Sequence, residues 1–228
     1  MISAKPGYEY LKFKTSSGVI LHVIRTKPDN IVLKAISSNV TQTRDFGING
    51  GFFFWEGQLL SMAVMNDKPL KGAAGDYGSG WLNIDRPKGT LVWDAAARKF
   101  SVQVAEEAGQ LEVTDRSRYW AQGGVSMSYR DESGWVEQAV KEDMPIMYEG
   151  RMRSGLVFDK ENRVYLIVSP TLSTVEQFRS AVREAIGRDE LVDGIFFLDG
   201  DGSSQLKLAG ASLPGDHREV YQMITLVK

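Results

Sequence analysis

Six residues, Asp199-Gly200-Asp201-Gly202-Ser203-Ser204, follow directly on the apolar run Phe196-Phe197-Leu198. Two carboxylates, two glycines and two hydroxyls therefore stand against what reads as a buried strand. The glycines permit positive φ and close backbone approach. Exposed amides and the serine hydroxyls can donate to an anion, as in a backbone nest, with a carboxylate acting beside it. The other reading is a polar turn that ends a strand. A second unusual stretch is Ile48-Asn49-Gly50-Gly51-Phe52-Phe53. Asn49 offers a bidentate amide, and Gly50 and Gly51 present bare backbone amides. Glycines inside a strand pattern point to a bulge or a close ligand, or else Asn-Gly forms a type I′ hairpin turn. Arg151 and Arg153 add guanidinium forks suited to phosphate or carboxylate, unless they are ordinary surface arginines.

Other chemistries fit less well. Asp199, Asp201 and Ser203 alternate as in the opening of a calcium loop, but the sixth position is Ser204 and the twelfth Gly210. An EF-hand is thereby excluded, while an irregular calcium or magnesium site on Asp199 and Asp201 stays open. The only histidines are His22 and His217, without an H-E-x-x-H motif, so a histidine zinc site or a Ser-His-Asp triad has no supporting pattern. Ala121–Tyr129 is not a nucleophile elbow, since Ser128 stands where that motif needs glycine. No dinucleotide fingerprint and no Walker lysine is present.

These residues need a scaffold, and the hydrophobic pattern supplies one. Residues 9–36 read as a strand meander, with turns at "SSG" and "KPDN". Strand candidates follow at 46–54, 89–94, 99–104 and 121–129. The Gly-rich span 71–81 reads as a surface flap, and 135–143 as a short helix or loop. Residues 155–168 predict a β-hairpin around the polar turn Asp159–Asn162. The spacing of Val175, Phe178, Val182, Ala185 and Ile186 predicts a helix, capped by Ser173 with Glu176 and stopped by Gly187. Strand, helix and strand at that spacing predict a right-handed βαβ crossover with parallel flanking strands. Ligands of open α/β sheets bind just past the carboxyl end of such a strand, which is where residues 199–204 lie. The fold class is α+β: a twisted mixed, mostly antiparallel sheet with one long helix in that crossover and a loop-built cleft. No linker divides the chain, so residues 1–228 read as a single domain.

Composition bounds the partners. The 228 residues are 43% hydrophobic and 25% charged, with 27 basic against 29 acidic residues. A net charge of −2 gives no electrostatic reason to expect nucleic acid or an anionic membrane. There is no cysteine, which excludes disulfides and thiolate chemistry. The apolar runs are too short for a membrane span, and the opening residues lack a secretory-signal pattern. The expectation is a soluble protein of undetermined compartment and oligomeric state.

Taken together and in order, "INGGFF", "AQGG", "RSGLVFDKENRVYLIV", "STVEQFRSAV" and "FFLDGDGSS" resemble the phosphodiester glycosidase domain family, which has bacterial and phage members. The resemblance covers about residues 17–227. It implies a hydrolase that cleaves the glycosidic bond of a sugar 1-phosphodiester, giving free sugar and a phosphate monoester, for instance in a bacterial glycopolymer. It also implies that Asn49, Arg153, Asp199, Ser203 and Ser204 line the site, shaped by Gly50, Gly51, Gly200 and Gly202. On this reading Arg153 and the glycine amides take the leaving phosphate, and Asp199 is the carboxylate on the sugar side. Phe54, Trp55, Tyr77 and Trp81 are candidates to stack on the sugar, or else are core residues. No cofactor is required, and a divalent cation is the one addition left open. The family usually has glycine where Asp201 stands, and a different small-residue run after the arginine than "SGL". The added charge at Asp201 would repel a phosphate or recruit a metal ion. The rival classes are a non-catalytic module that binds phosphorylated carbohydrate and a phosphodiesterase that breaks the P–O bond.

Overall fold

The computed structural model describes residues 7–54, 56–197 and 201–227. Its first half carries β1 (Tyr8–Lys14), β2 (Ile20–Thr26), β3 (Ile31–Ser38), β4 (Gly47–Asn49), β5 (Ala63–Met65), β6 (Lys68–Pro69), β7 (Lys88–Asp94) and β8 (Lys99–Ala105). The second half adds β9 (Tyr119–Gly123), β10 (Val125–Ser126), α1 (Trp135–Lys141), β11 (Arg151–Asp159), β12 (Val164–Ser173) and α2 (Val175–Ile186). It ends with β13 (Leu191–Phe196), β14 (Leu206–Leu208), β15 (Ala211–Leu213) and β16 (Val220–Leu226). The α+β class holds. Among the described residues no helix is long and apolar enough to cross a membrane.

The strands form three sheets, in the orders β1-β2-β12-β11-β13-β10, β15-β14-β4-β16-β3 and β6-β5-β9-β7-β8. Alternation along the first sheet explains why its strands are apolar on both sides. Ile24, Leu156, Phe158, Leu166 and Val168 face a core shared with Ile48 and Ile224 of the second sheet and Leu91 and Trp120 of the third. Val23, Val157, Tyr165 and Ile167 face the other way, onto Phe178 and Val182 of α2 and Trp135 of α1.

Two expectations about connectivity need correction. The meander breaks after its second strand: β1 pairs with β2, but β3 leaves through a turn at Pro28–Asn30 and pairs with β16. Likewise the strands joined by α2 are not neighbours. β12 and β13 each pair antiparallel with β11, which lies between them. They point the same way without sharing a ladder, so every pairing between named strands is antiparallel. The hairpin stands as expected, with Asp159 Oδ1 accepting from the amides of Glu161 and Arg163 at 2.9 Å each.

Helix α2 starts one residue later than its motif suggests. Thr174, not Ser173, is the N-cap: its hydroxyl accepts from the Gln177 amide at 3.2 Å while Gln177 Oε1 accepts from the Thr174 amide at 2.9 Å. Ser173 remains in β12, and Glu176 lies in the first turn. Thr174→Ala should therefore lower stability by about 1 kcal/mol, whereas Glu176→Ala should change it by less than about 0.5 kcal/mol. Urea unfolding of the two variants checks the assignment, and the reverse ranking would refute it.

Candidate functional site

Strand β4 ends at Asn49, which is buried. Its side chain ties three segments together. Oδ1 accepts from the Gln205 amide at 3.0 Å, and Nδ2 donates to Ser154 Oγ at 3.0 Å and to the Gly50 carbonyl at 3.1 Å. Its backbone amide donates to the Gln205 carbonyl at 3.1 Å. Both side-chain amide protons thus meet protein acceptors, and Asn49 clamps β4 to β11 and to the segment after Ser204.

The amides of Gly50 and Gly51 are likewise engaged, which corrects the picture of bare donors. Gly50 N–H donates to the Gln222 carbonyl at 2.8 Å, and Gly51 N–H to Gln222 Oε1 at 2.9 Å. Gln222 in turn donates to Gln122, whose Nε2 reaches the Gly123 carbonyl at 3.0 Å. The stretch is no Asn-Gly hairpin either, because β4 pairs with β14 and β16. Glycine is required by neighbouring protein: a Cβ on Gly50 would lie 2.4 Å from Gln222 Cδ, and one on Gly51 2.6 Å from Ser61 Cβ. The signal that finds these partners is a glutamine inside an apolar strand, at Gln122 and again at Gln222.

Arg153 on β11 is only 3% exposed. Its Nε donates to the Ser173 carbonyl at 3.2 Å, and Nη2 to the carbonyls of Ile146 and Glu149 at 2.7 and 3.2 Å. Among the described residues Nη1 makes no hydrogen bond, and no carboxylate lies within ion-pair distance of this guanidinium. Burial, and then the neighbouring Arg151, push its pKa down to about 10. It remains a cation at neutral pH, hydrogen-bonded to carbonyls, while Asp201 and Glu149 favour its charge from beyond ion-pair distance. A buried cation without a contacting carboxylate among the described residues is costly, and a bound anion would relieve that cost. Alternation sends Arg153 and Ser154 to opposite faces of β11, so Asn49 lies behind this site and supports it from the other face.

Phe197 and Asp201 are both tied to the same strand end. Phe197 N–H donates to the Ser154 carbonyl at 2.9 Å, and Asp201 accepts from Arg151 Nη1 at 3.0 Å. Asp199, Gly200 and Trp55 lie outside the described residues. Asp201 has φ +62°, the left-handed region that glycine enters freely and aspartate tolerates. The backbone thus accounts for aspartate standing in place of glycine, and its carboxylate is ion-paired with Arg151. No group of three potential metal-ligating side chains occurs among the described residues. Gly202 packs on Asp216, whose Oδ2 would lie 2.0 Å from an added Cβ.

Among the described residues, four of the six buried side-chain polar atoms without a hydrogen bond belong to this neighbourhood: Arg151 Nε and the hydroxyls of Ser173, Ser203 and Ser204. Natural proteins rarely leave such atoms orphaned, and concentration at one place points to a missing acceptor or donor. Ser203 and Ser204 are among the residues expected here; Ser173 and Ser154 are not, because a lone serine in an apolar strand carries no sequence signal. The aromatic candidates divide. Trp81 packs on a satellite core with Ala108 and Leu111, while Phe54 and Tyr77 are exposed. Ile146 has φ +49°, a true outlier for a β-branched residue, and it is this residue's carbonyl that Arg153 holds at 2.7 Å.

Comparison with known proteins agrees at the level of fold. The catalytic domain of zebrafish N-acetylglucosamine-1-phosphodiester alpha-N-acetylglucosaminidase, auto-inhibited by its pro-peptide, matches over 99% of this chain and 85% of its own, with a TM-score of 0.69 and 15% identity. A hypothetical protein from Synechocystis matches over 96% of this chain with a TM-score of 0.51 and 13% identity; the chain spans 61% of its length. No family model matches the sequence. Nor does any curated protein. The likeness is one of fold.

Three substitutions probe the site without a ligand. Ser203→Ala and Ser204→Ala should leave stability unchanged or raise it by up to about 1 kcal/mol, since no protein group loses a partner; a clear loss on urea unfolding would show that these hydroxyls are bonded within the protein. Ile146→Asn should raise stability by about 1 kcal/mol through relief of the left-handed backbone, read as an upward shift of the urea midpoint.

Proposed function

We propose that the chain is a hydrolase that cleaves the glycosidic bond of a sugar 1-phosphodiester. What carries this reading is the buried Arg153 guanidinium, without an anionic partner among the described residues, beside three orphaned serine hydroxyls. A phosphodiester oxygen would accept from Nη1 and from the hydroxyls, and so remove both deficits at once. The order of sequence motifs and the fold shared with a phosphodiester glycosidase catalytic domain support the same reading.

In the proposed reaction a water oxygen bonds to the anomeric carbon as the bond from that carbon to the phosphate oxygen breaks, and the proton that the water loses passes to the departing phosphate monoester or to solvent. The phosphate monoester leaves with that oxygen and its electron pair. Arg153, Ser173, Ser203 and Ser204 stabilise the charge that grows on the leaving group. A preorganised donor of this kind contributes about 3 kcal/mol to the barrier. Asp199 supplies the carboxylate that steadies the oxocarbenium-like carbon or attacks it. A phosphate monoester is a good leaving group, so little protonation is needed, in keeping with a site poor in histidine.

Hydrolysis of a sugar 1-phosphodiester in ¹⁸O-labelled water is the test. The label should appear in the sugar and not in the phosphate. Arg153→Met should lower turnover by about a hundredfold or more, and Asp199→Asn should abolish it in a folded protein. Label in the phosphate would replace this reading by P–O cleavage. Saturable binding without turnover would replace it by a carbohydrate-phosphate binding module.

A further inference from the structure

Three charged side chains act on the Arg153 guanidinium: Arg151 disfavours its charge, while Asp201 and Glu149 favour it. All three meet in one network. Arg151 Nη2 donates to Glu149 Oε2 at 2.7 Å, and Arg151 Nη1 donates to Asp201 Oδ2 at 3.0 Å. Arg151 is thereby taken up by two carboxylates at once. They hold it above the ordinary arginine range, Glu149 first and then Asp201.

Hydrogen bonds tie this network to the anion site. The Glu149 carbonyl accepts from Arg153 Nη2 at 3.2 Å. Arg151 is paired across the ladder with Ser173, whose carbonyl accepts from Arg153 Nε at 3.2 Å. The Asp201 carbonyl accepts from the Ser204 amide at 2.9 Å, in the turn that carries the orphaned hydroxyls of Ser203 and Ser204. The two carboxylates therefore reach the neighbourhood of Arg153 from two segments far apart in the chain. Both are open to solvent, with side chains 66% and 40% exposed for Glu149 and Asp201, so replacing them leaves the core untouched.

The sum of these charges decides which anion the site prefers. The two arginines and the two carboxylates cancel, so these four residues offer directed donors without an excess of positive charge. A phosphodiester carries one negative charge at neutral pH. A phosphate monoester, with a second pKa of about 6, carries nearly two. Hydrogen-bond donors serve both alike, but each added ligand charge meets the two carboxylates again. With both arginines uncompensated, the dianion would win.

We infer that Asp201 and Glu149 set the charge selectivity of this site, which takes a monoanionic phosphodiester and discriminates against monoester dianions and diphosphates. The inference rests on the reading of Arg153 as the phosphate site. The carboxylates have no part in bond breaking. They engage Arg151, and they favour departure of the product, which gains a charge when the diester is cut. This gives a reason for a carboxylate at position 201, where the φ of +62° would admit glycine or asparagine as well.

The test is a titration at about pH 8, where methyl phosphate is a dianion, at constant low ionic strength. Dimethyl phosphate is the monoanionic probe, and neither probe has a glycosidic bond to cleave. The wild type should bind dimethyl phosphate at least as tightly as methyl phosphate. Asp201→Asn and Glu149→Gln each replace a carboxylate by a neutral amide of the same shape. Coulomb energy is proportional to ligand charge, so a variant that binds the monoanion about threefold tighter should bind the dianion about tenfold tighter. The double variant should combine the gains and reverse the preference of the wild type. A purely structural role would move both probes by the same factor. Equal gains, no gains, or a wild type that already binds methyl phosphate about tenfold tighter would overturn the selectivity. The anion site would still stand if Arg153→Met abolishes binding of both probes. If neither probe binds the wild type, or the Arg153 variant binds both equally well, the reading of Arg153 falls and the selectivity with it.

Discussion

One side-chain amide holds this architecture at the point that matters. Asn49 joins β4 to β11 through Ser154 and to the Ser203–Gln205 segment through the Gln205 amide. Those three segments are far apart in the chain, and two of them, β11 and the Ser203–Gln205 segment, carry parts of the candidate site. An asparagine with both amide protons engaged in a buried setting is a directional constraint, because every lost bond leaves an unpaired polar group. Packing alone would tolerate small slides of strand against strand, whereas these hydrogen bonds fix where the polar turn lies relative to Arg153.

On the far face of β11 the energetics reverse. The clamp is satisfied, but the guanidinium is not. Arg153 is surrounded by carbonyls that lower the cost of its charge without cancelling it, and the hydroxyls of Ser173, Ser203 and Ser204 have no partner among the described residues. Asp201 and Glu149, whose charges favour the cation, are both ion-paired with Arg151 instead. A partly compensated cation of this kind favours anions with several oxygens, since more than one orphaned donor can be satisfied at once. The left-handed backbone of Ile146 belongs to the same balance, because its carbonyl is one of those that steady the charge.

Much of this was legible in the sequence, and the failures share a cause. The hairpin and the helix were readable because their signals are local: a polar turn between apolar runs, and apolar residues at helical spacing. The cap was misplaced by one because Ser173-x-x-Glu176 and Thr174-x-x-Gln177 both satisfy the motif, and only the β12 ladder decides between them. The crossover failed because connection length sets the direction of the two strands but does not reveal that β11 is inserted between them. Gly50 and Gly51 read as a bulge, a close approach of ligand or a hairpin turn, whereas what approaches them is Gln222 and Ser61, contributed from elsewhere in the chain. Ser154 and Ser173 carry no local signal at all, since a single polar residue in a strand looks like a solvated one until the neighbouring sheets are in place.

The position of β16 has a consequence for biosynthesis. Residues 220–226 lie between β3 and β4, where Met223 is paired with Asn49 and Leu226 with Ile31. A growing chain that has emerged from the ribosome only as far as residue 219 has both flanking strands and nothing to zip them together. The first sheet also waits, since β2 pairs with β12 and β10 with β13, but its last strand ends at residue 196. Closure of the second sheet is thus a late event that waits for residues 220–226, and until then the edges of β3 and β4 are open to mispairing and to chaperones.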